Sequence, residues 1–268
     1  MASESPIISS DLERCFAEWR AAHHTALIPY ITAGYPRPAD TLPLLRALAD
    51  AGADIIELGV PFSDPVADGP TIQRSSQVAL EHGMTLESTL SLVRALRRES
   101  DVPVVIFTYL NPILAYGPDR FIDAAVDAGA QGVLIVDLPV GADPELESVL
   151  ENSPLALIRL LAPTTADARA QEIAERTQGF LYYVARLGVT GARTALRTEL
   201  LDEVRAVRAL SDVPVAVGFG ISSAEQARAV AGAADGIVIG SALIDALDRG
   251  GIEAAASLLR ELREALDH

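Results

Sequence analysis

Apolar residues recur along the chain in two alternating patterns. Short, nearly continuous apolar runs stand at 26–32, 54–60, 102–109, 132–137, 155–161, 180–184, 213–217 and 236–239. Between them, apolar residues three and four apart mark 39–51, 72–81, 86–98, 118–128, 144–151, 165–176, 198–210 and 223–231. The first pattern is that of strands buried on both faces, the second that of helices burying one stripe. A helix at 12–22, with Leu12, Phe16 and Trp19 on one side, precedes the first strand, and helices near 241–247 and at 252–266 close the chain. Ala-Gly-Ala recurs at 51–53, 128–130 and 231–233, as expected of helix ends that run into a strand. Eight such units predict α/β architecture: a single (β/α)8 TIM barrel over residues 1–268 with an extra N-terminal helix. An open doubly wound sheet is the alternative, disfavoured because no GxGxxG follows the first strand.

Polar residues that break the apolar runs locate the chemistry. Glu57 interrupts Ile55, Ile56 and Leu58, where an unpaired carboxylate costs several kcal/mol or changes its pKa. The following loop, with Pro61, Pro65, Gly69 and Pro70 around Ser63, Asp64 and Asp68, is stiff and acidic. Barrel enzymes build their sites at the C-terminal strand ends. Those ends carry Tyr30 and Thr32, Glu57 with Asp68 beyond it, Tyr109, Asp137, Tyr182, Gly218-Phe219-Gly220 and Gly240-Ser241. Glu57 and Asp68 can divide acid and base work if their surroundings separate their pKa values. Asp68 equally suits a turn before Gly69-Pro70, and Asp137 equally suits a structural hydrogen bond. Glycines after the seventh and eighth strands let backbone N–H groups approach a phosphate, the frequent anion site of such barrels. The glycine-punctuated segment 185–194 is long enough for a lid or is a plain flexible loop, with Gly191 within reach of the phosphate. Asn111-Pro112-Ile113-Leu114 reads as a loop with exposed apolar residues, for a partner or for packing.

Composition narrows the chemistry. Net charge is −16, and all 21 basic residues are arginines. Without lysine the chain cannot form a Schiff base, attach pyridoxal phosphate covalently or use a Walker-type lysine. Its acidity argues against nucleic-acid binding, and no apolar run reaches the ~18 residues of a membrane span. The four histidines, 23, 24, 82 and 268, have no metal-ligand spacing. One cysteine, Cys15, and no secretion signal at the start suggest a reducing cytoplasm.

The segments LIPYITAGYP, IIELGVPFSDPVADGPTIQ, TYLNPI, DLP, LAPTT, GFLYYV, GVTGAR, VGFGIS and ADGIVIGSAL follow one another from about residue 26 to residue 243. In content and order they resemble the tryptophan synthase α subunit family. The resemblance implies retro-aldol cleavage of indole-3-glycerol phosphate to indole and glyceraldehyde 3-phosphate. It implies that Glu57 and Asp68 are the catalytic acid pair and Tyr182 the active-site tyrosine. It implies that Gly191, Phe219, Gly220, Gly240 and Ser241 bind the phosphate, while Phe219, Leu58, Ile72, Leu134 and Tyr182 are expected to wall the indole ring. No cofactor is implied in this chain; pyridoxal phosphate belongs to a β subunit, the partner in an α2β2 tetramer. Asp64, Pro65 and Asn111 match partner contacts, and Arg186 and Thr190 match the lid. Val140-Gly141-Ala142, Val78 and Ala185 depart from common family residues. The alternatives are a stand-alone indole-3-glycerol phosphate lyase, a catalytically silent barrel that activates the β subunit, and another phosphosugar barrel.

Overall fold

The computed structural model describes residues 11–185, 198–210, 212–218 and 220–267. Its eight strands are β1 (Ala26–Thr32), β2 (Ile56–Gly59), β3 (Val104–Thr108), β4 (Gly132–Ile135), β5 (Ala156–Leu161), β6 (Leu181–Val184), β7 (Val215–Gly218) and β8 (Gly236–Ile239). They pair in parallel and in sequence order, and β8 returns to β1 to close the barrel. Closure leaves no sheet edge unpaired and buries both strand faces, which is why the runs carry so few polar residues.

The first six helices are α1 (Asp11–Ala21), α2 (Pro38–Asp50), α3 (Pro70–Glu81), α4 (Leu86–Leu96), α5 (Leu110–Tyr116) and α6 (Pro118–Ala128). The remainder are α7 (Pro144–Glu151), α8 (Asp167–Glu175), α9 (Thr198–Arg208), α10 (Ala224–Val230) and α11 (Ser241–Asp267). Proline opens α2, α3, α6 and α7, where the missing N–H has no intrahelical partner to lose. Two segments show how pattern and structure relate. Residues 111–114, expected as loop, belong to α5: Pro112 falls in the first turn, where proline is tolerated, and Asp137 Oδ1 accepts the Leu110 N–H at 2.6 Å. Residues 241–267, labelled α11, are two helices in succession: Gly250 and Gly251 have non-helical backbone angles and break the helix between them, in agreement with the two predicted segments.

The N-terminal face is locked by two carboxylates. Asp54 accepts the Leu27 N–H at 2.7 Å and pairs with His24 at 2.8 Å and Arg263 at 2.9 Å. Asp235, 5% exposed, accepts the Val215 N–H and pairs with Arg20 at 2.8 Å and Arg208 at 2.9 Å. There α1 packs the barrel floor, with Phe16 fully buried against Trp19 and Phe180. This face is therefore tied together, and the opposite face carries the longer loops.

Candidate active site

The site is built from β2 outward. Side chains alternate along a strand, so Glu57 and Gly59 face the barrel interior while Ile56 and Leu58 face the helices. Leu58 is accordingly fully buried and does not line the cavity it was expected to wall. Glu57 is 0% exposed, and neither of its carboxylate oxygens has a hydrogen-bond partner among the described residues. Removal from water without compensation raises its pKa to about 8.

A cavity of about 470 Å³ opens at the C-terminal strand ends. It brings together Asp68, Tyr182, Gly220, Gly240 and Ser241, which lie far apart in sequence. Asp68 is half-buried, and its carboxyl is raised to about 6 by burial, with the Tyr109 hydrogen bond acting in the opposite direction. Tyr109 fixes it: the hydroxyl donates to Asp68 Oδ2 at 3.1 Å and accepts from Ala67 N at 3.1 Å. Gln73 Nε2, at the start of α3, donates to the Asp68 carbonyl at 2.9 Å, so the loop is held from both ends. Tyr182 is pushed well above the ordinary phenol range by burial, with Glu57 and then Asp68 as the largest charged contributors. Glu57, fully buried, is not among the residues that line the cavity but stands in register with Tyr30, which lines it; near pH 7 the raised pKa values leave Glu57 protonated and Asp68 ionised.

The remaining walls are apolar. Ile72 lines the cavity as expected; Phe107, which no sequence signal marked, lines it because it faces inward in register with Gly59. Leu134 is fully buried in the core instead. Tyr30 and Tyr109 were visible only as polar strand ends without a role. Gly220 has φ +77°, a conformation reserved largely for glycine, and Gly240 immediately precedes the N-terminus of α11, where free N–H groups favour an anion. The first turn of α10 is capped by its own residues, Ser223 Oγ accepting from Gln226 N and Gln226 Oε1 from Ser222 N. Asp137 is occupied structurally at the start of α5.

Asp64 and Pro65 lie on a separate groove of about 430 Å³ beside Phe62 and Val66. Phe62 stacks on Tyr109 at 5.0 Å, so this loop touches the residue that holds Asp68. Asn111 is exposed on α5. Arg186, Thr190, Gly191 and Phe219 lie outside the described residues. Among the described residues there is no group of three or more His, Cys, Asp or Glu side chains that could hold a metal ion, and no helix is long and apolar enough to cross a membrane.

A closed parallel barrel whose C-terminal strand ends open on a cavity lined by Asp68, two tyrosines and several glycines has the architecture of a barrel enzyme acting on a small molecule. Comparison with known proteins narrows that class. The family model described as tryptophan synthase alpha chain matches residues 16–267. Tryptophan synthase alpha chains from Xanthomonas euvesicatoria and Methylococcus capsulatus are 50% and 46% identical to the chain; each alignment covers 96% of it, and 98% and 99% of the relatives. Among solved structures, tryptophan synthase subunit alpha from Legionella pneumophila superposes with a TM-score of 0.89 at 38% identity, covering 96% of this chain and 98% of that one. A chain of tryptophan synthase from M. tuberculosis gives 0.88 at 35% identity, covering 97% and 100%. The chain belongs to the tryptophan synthase alpha chain family, and its activity is that of a lyase of this type.

Proposed function

We propose that the chain cleaves indole-3-glycerol phosphate to indole and glyceraldehyde 3-phosphate, with Glu57 and Asp68 as its acid–base pair. The observation that carries this reading is the pair of raised but unequal carboxyls at about 8 and about 6. Protonated Glu57 delivers its proton to indole C3, and ionised Asp68 holds the indole N–H as positive charge develops there. The Glu57 carboxylate then takes the proton of the hydroxyl on the carbon bonded to C3. That oxygen's electrons form the aldehyde C=O, the C–C bond breaks, and its electrons restore the aromatic indole. Glu57 ends protonated, so the cycle needs neither lysine nor metal. Tyr182 covers the opposite wall, and Gly220, Gly240 and Ser241, with Gly191 and Phe219, receive the phosphate through backbone N–H groups.

No cofactor is required in this chain, and the partner is a pyridoxal phosphate-containing β subunit in an α2β2 tetramer. Support for a docking face comes from Val66, 85% exposed beside Asp64 and Pro65, and Leu114, 50% exposed on the helix that bears Asn111. Arg186 and Thr190 are assigned to the lid over the cavity, and the enzyme is assigned to the cytoplasm. The test is turnover of indole-3-glycerol phosphate by the purified chain and by Glu57→Gln. Indole release by the wild type and its loss, by at least ~1000-fold, in the folded variant are expected; undiminished release by the variant removes Glu57 from the mechanism. High turnover that a β subunit does not increase favours the stand-alone lyase instead.

A further inference from the structure

Tyr30 and Tyr182 occupy matching places in the barrel, on β1 and β6. Each stands two residues before a position paired with a glycine of the next strand: Thr32 pairs with Gly59, and Val184 with Gly218. Each hydroxyl lies over that glycine so closely that a Cβ at Gly59 would stand 2.3 Å from Tyr30 Oη, and one at Gly218 2.3 Å from Tyr182 Oη. Both phenols line the cavity with Asp68, and the register sets Tyr30 beside Glu57. The ring of Tyr30 meets Phe107 edge-on at 5.0 Å and is held in one orientation. The family resemblance gives Tyr182 a role, whereas Tyr30, its counterpart next to the acid, stands only among the polar strand ends.

The hydrogen bonds around Tyr30 have a fixed direction. Ser75 Oγ spends its single proton on the Ile72 carbonyl at 2.8 Å. Thr32 must therefore be the donor in its 2.6 Å bond to Ser75. That leaves Thr32 Oγ1 only as an acceptor for Tyr30, at a long 3.4 Å. The Tyr30 proton thus has no partner at ordinary hydrogen-bond length among the described residues, whereas Tyr109 both donates and accepts at 3.1 Å. A Cβ at Gly240 would lie 3.7 Å from Tyr30 Cδ1, so the ring runs from the phosphate cradle to the strand of Glu57. The three-carbon chain of the substrate must cross that interval.

The geometry points to Tyr30 as a further catalytic residue whose hydroxyl donates a hydrogen bond to the substrate oxygen on the carbon bonded to the indole ring. This rests on the cleavage reading above. As that oxygen gives its proton to Glu57, the phenol stabilises the negative charge that develops on it and keeps its own proton throughout. Burial, reinforced by Asp68 and Glu57, raises the phenol far above its ordinary range and keeps it a donor at every working pH.

Steady-state kinetics on indole-3-glycerol phosphate with Tyr30→Phe and Thr32→Val test the assignment, with inhibition by glyceraldehyde 3-phosphate as the binding readout. For Tyr30→Phe, kcat is expected to fall ~10–100-fold while KM and product inhibition stay within about twofold. For Thr32→Val, which removes the weak acceptor and the bond to Ser75 but leaves the Tyr30 hydroxyl in place, kcat is expected to stay within about threefold of wild type. An unchanged kcat in Tyr30→Phe overturns the proposal. So does a Thr32→Val loss as large as that of Tyr30→Phe, which would make the hydroxyl an anchor for the Thr32–Ser75 chain. A wild-type chain that leaves the substrate intact overturns the cleavage reading beneath it.

Discussion

The two acids differ because their partners differ. Among the described residues Glu57 has no compensating donor, while Asp68 has the Tyr109 hydroxyl and is only half-buried. The proposed mechanism requires Asp68 ionised and Glu57 protonated, so kcat/KM is expected to rise with pH through about 6 and to fall through about 8. Tyr109→Phe removes the contact that lowers the Asp68 pKa, so the acidic limb should move upward; a limb that stays in place separates Tyr109 from Asp68 ionisation. Glu57 also links pH to stability. Its folded pKa lies above the ordinary 4.5, so its contribution is full below that value and is lost as pH rises through about 8. Glu57→Gln should therefore gain thermal stability relative to wild type at pH 9, by roughly 5 °C or more, and gain little at pH 5. The oddity of Glu57 was legible because a charge in an apolar run is a local fact. The roles of Tyr30, Tyr109 and Phe107 were not, because strand-end residues look alike until register and closure decide which of them face one cavity.

At the level of elements, periodicity carried most of the fold, and its errors sit where a first-turn exception applies. Residues 111–114 read as a loop because the place of Pro112 in the first turn of α5 depends on Tyr109 as N-cap and on Asp137, which accepts the Leu110 N–H from 27 residues further along. The ion-pair network joining α7, β5 and α8 was equally hidden. Glu147, 0% exposed, pairs with Arg159 at 2.9 Å and Arg176 at 3.0 Å, and accepts the Gly141 N–H at 2.7 Å. This network anchors the segment Val140-Gly141-Ala142. Glu147→Gln removes the fully buried one of the two carboxylates, Glu147 and Glu151, that hold Arg159 and Arg176, and should cost about 3 kcal/mol in urea unfolding. Asp11→Asn at the exposed Arg14 pair should cost under about 0.5 kcal/mol. Equal losses would contradict the burial argument.

Across the whole molecule, a chain of net charge −16 without lysine leaves backbone N–H groups, such as those that open α11 after Gly240, as the proposed holders of the phosphate. The same loop joins Asp68 in the cavity to Asp64 on the outer groove, and Phe62 stacks on Tyr109 between them. Engagement of the loop tip therefore has a short mechanical route to the Asp68 carboxylate. Asp64→Ala is expected to reduce activation by a β subunit about tenfold while leaving the rate of the isolated chain within about twofold; undiminished activation would break that link.

The sequence by itself determined the order of strands and helices, the barrel they close, the family and the presence of a costly carboxylate in β2. These follow from hydrophobic period, turn residues and motif order, all local properties. Only the tertiary structure decided that Leu58 faces the helices, that Asp137 serves α5, and that Tyr30 mirrors Tyr182 beside Glu57. Which way a side chain faces and how far it is removed from water are set by neighbours from distant strands, and those neighbours meet only when the barrel closes.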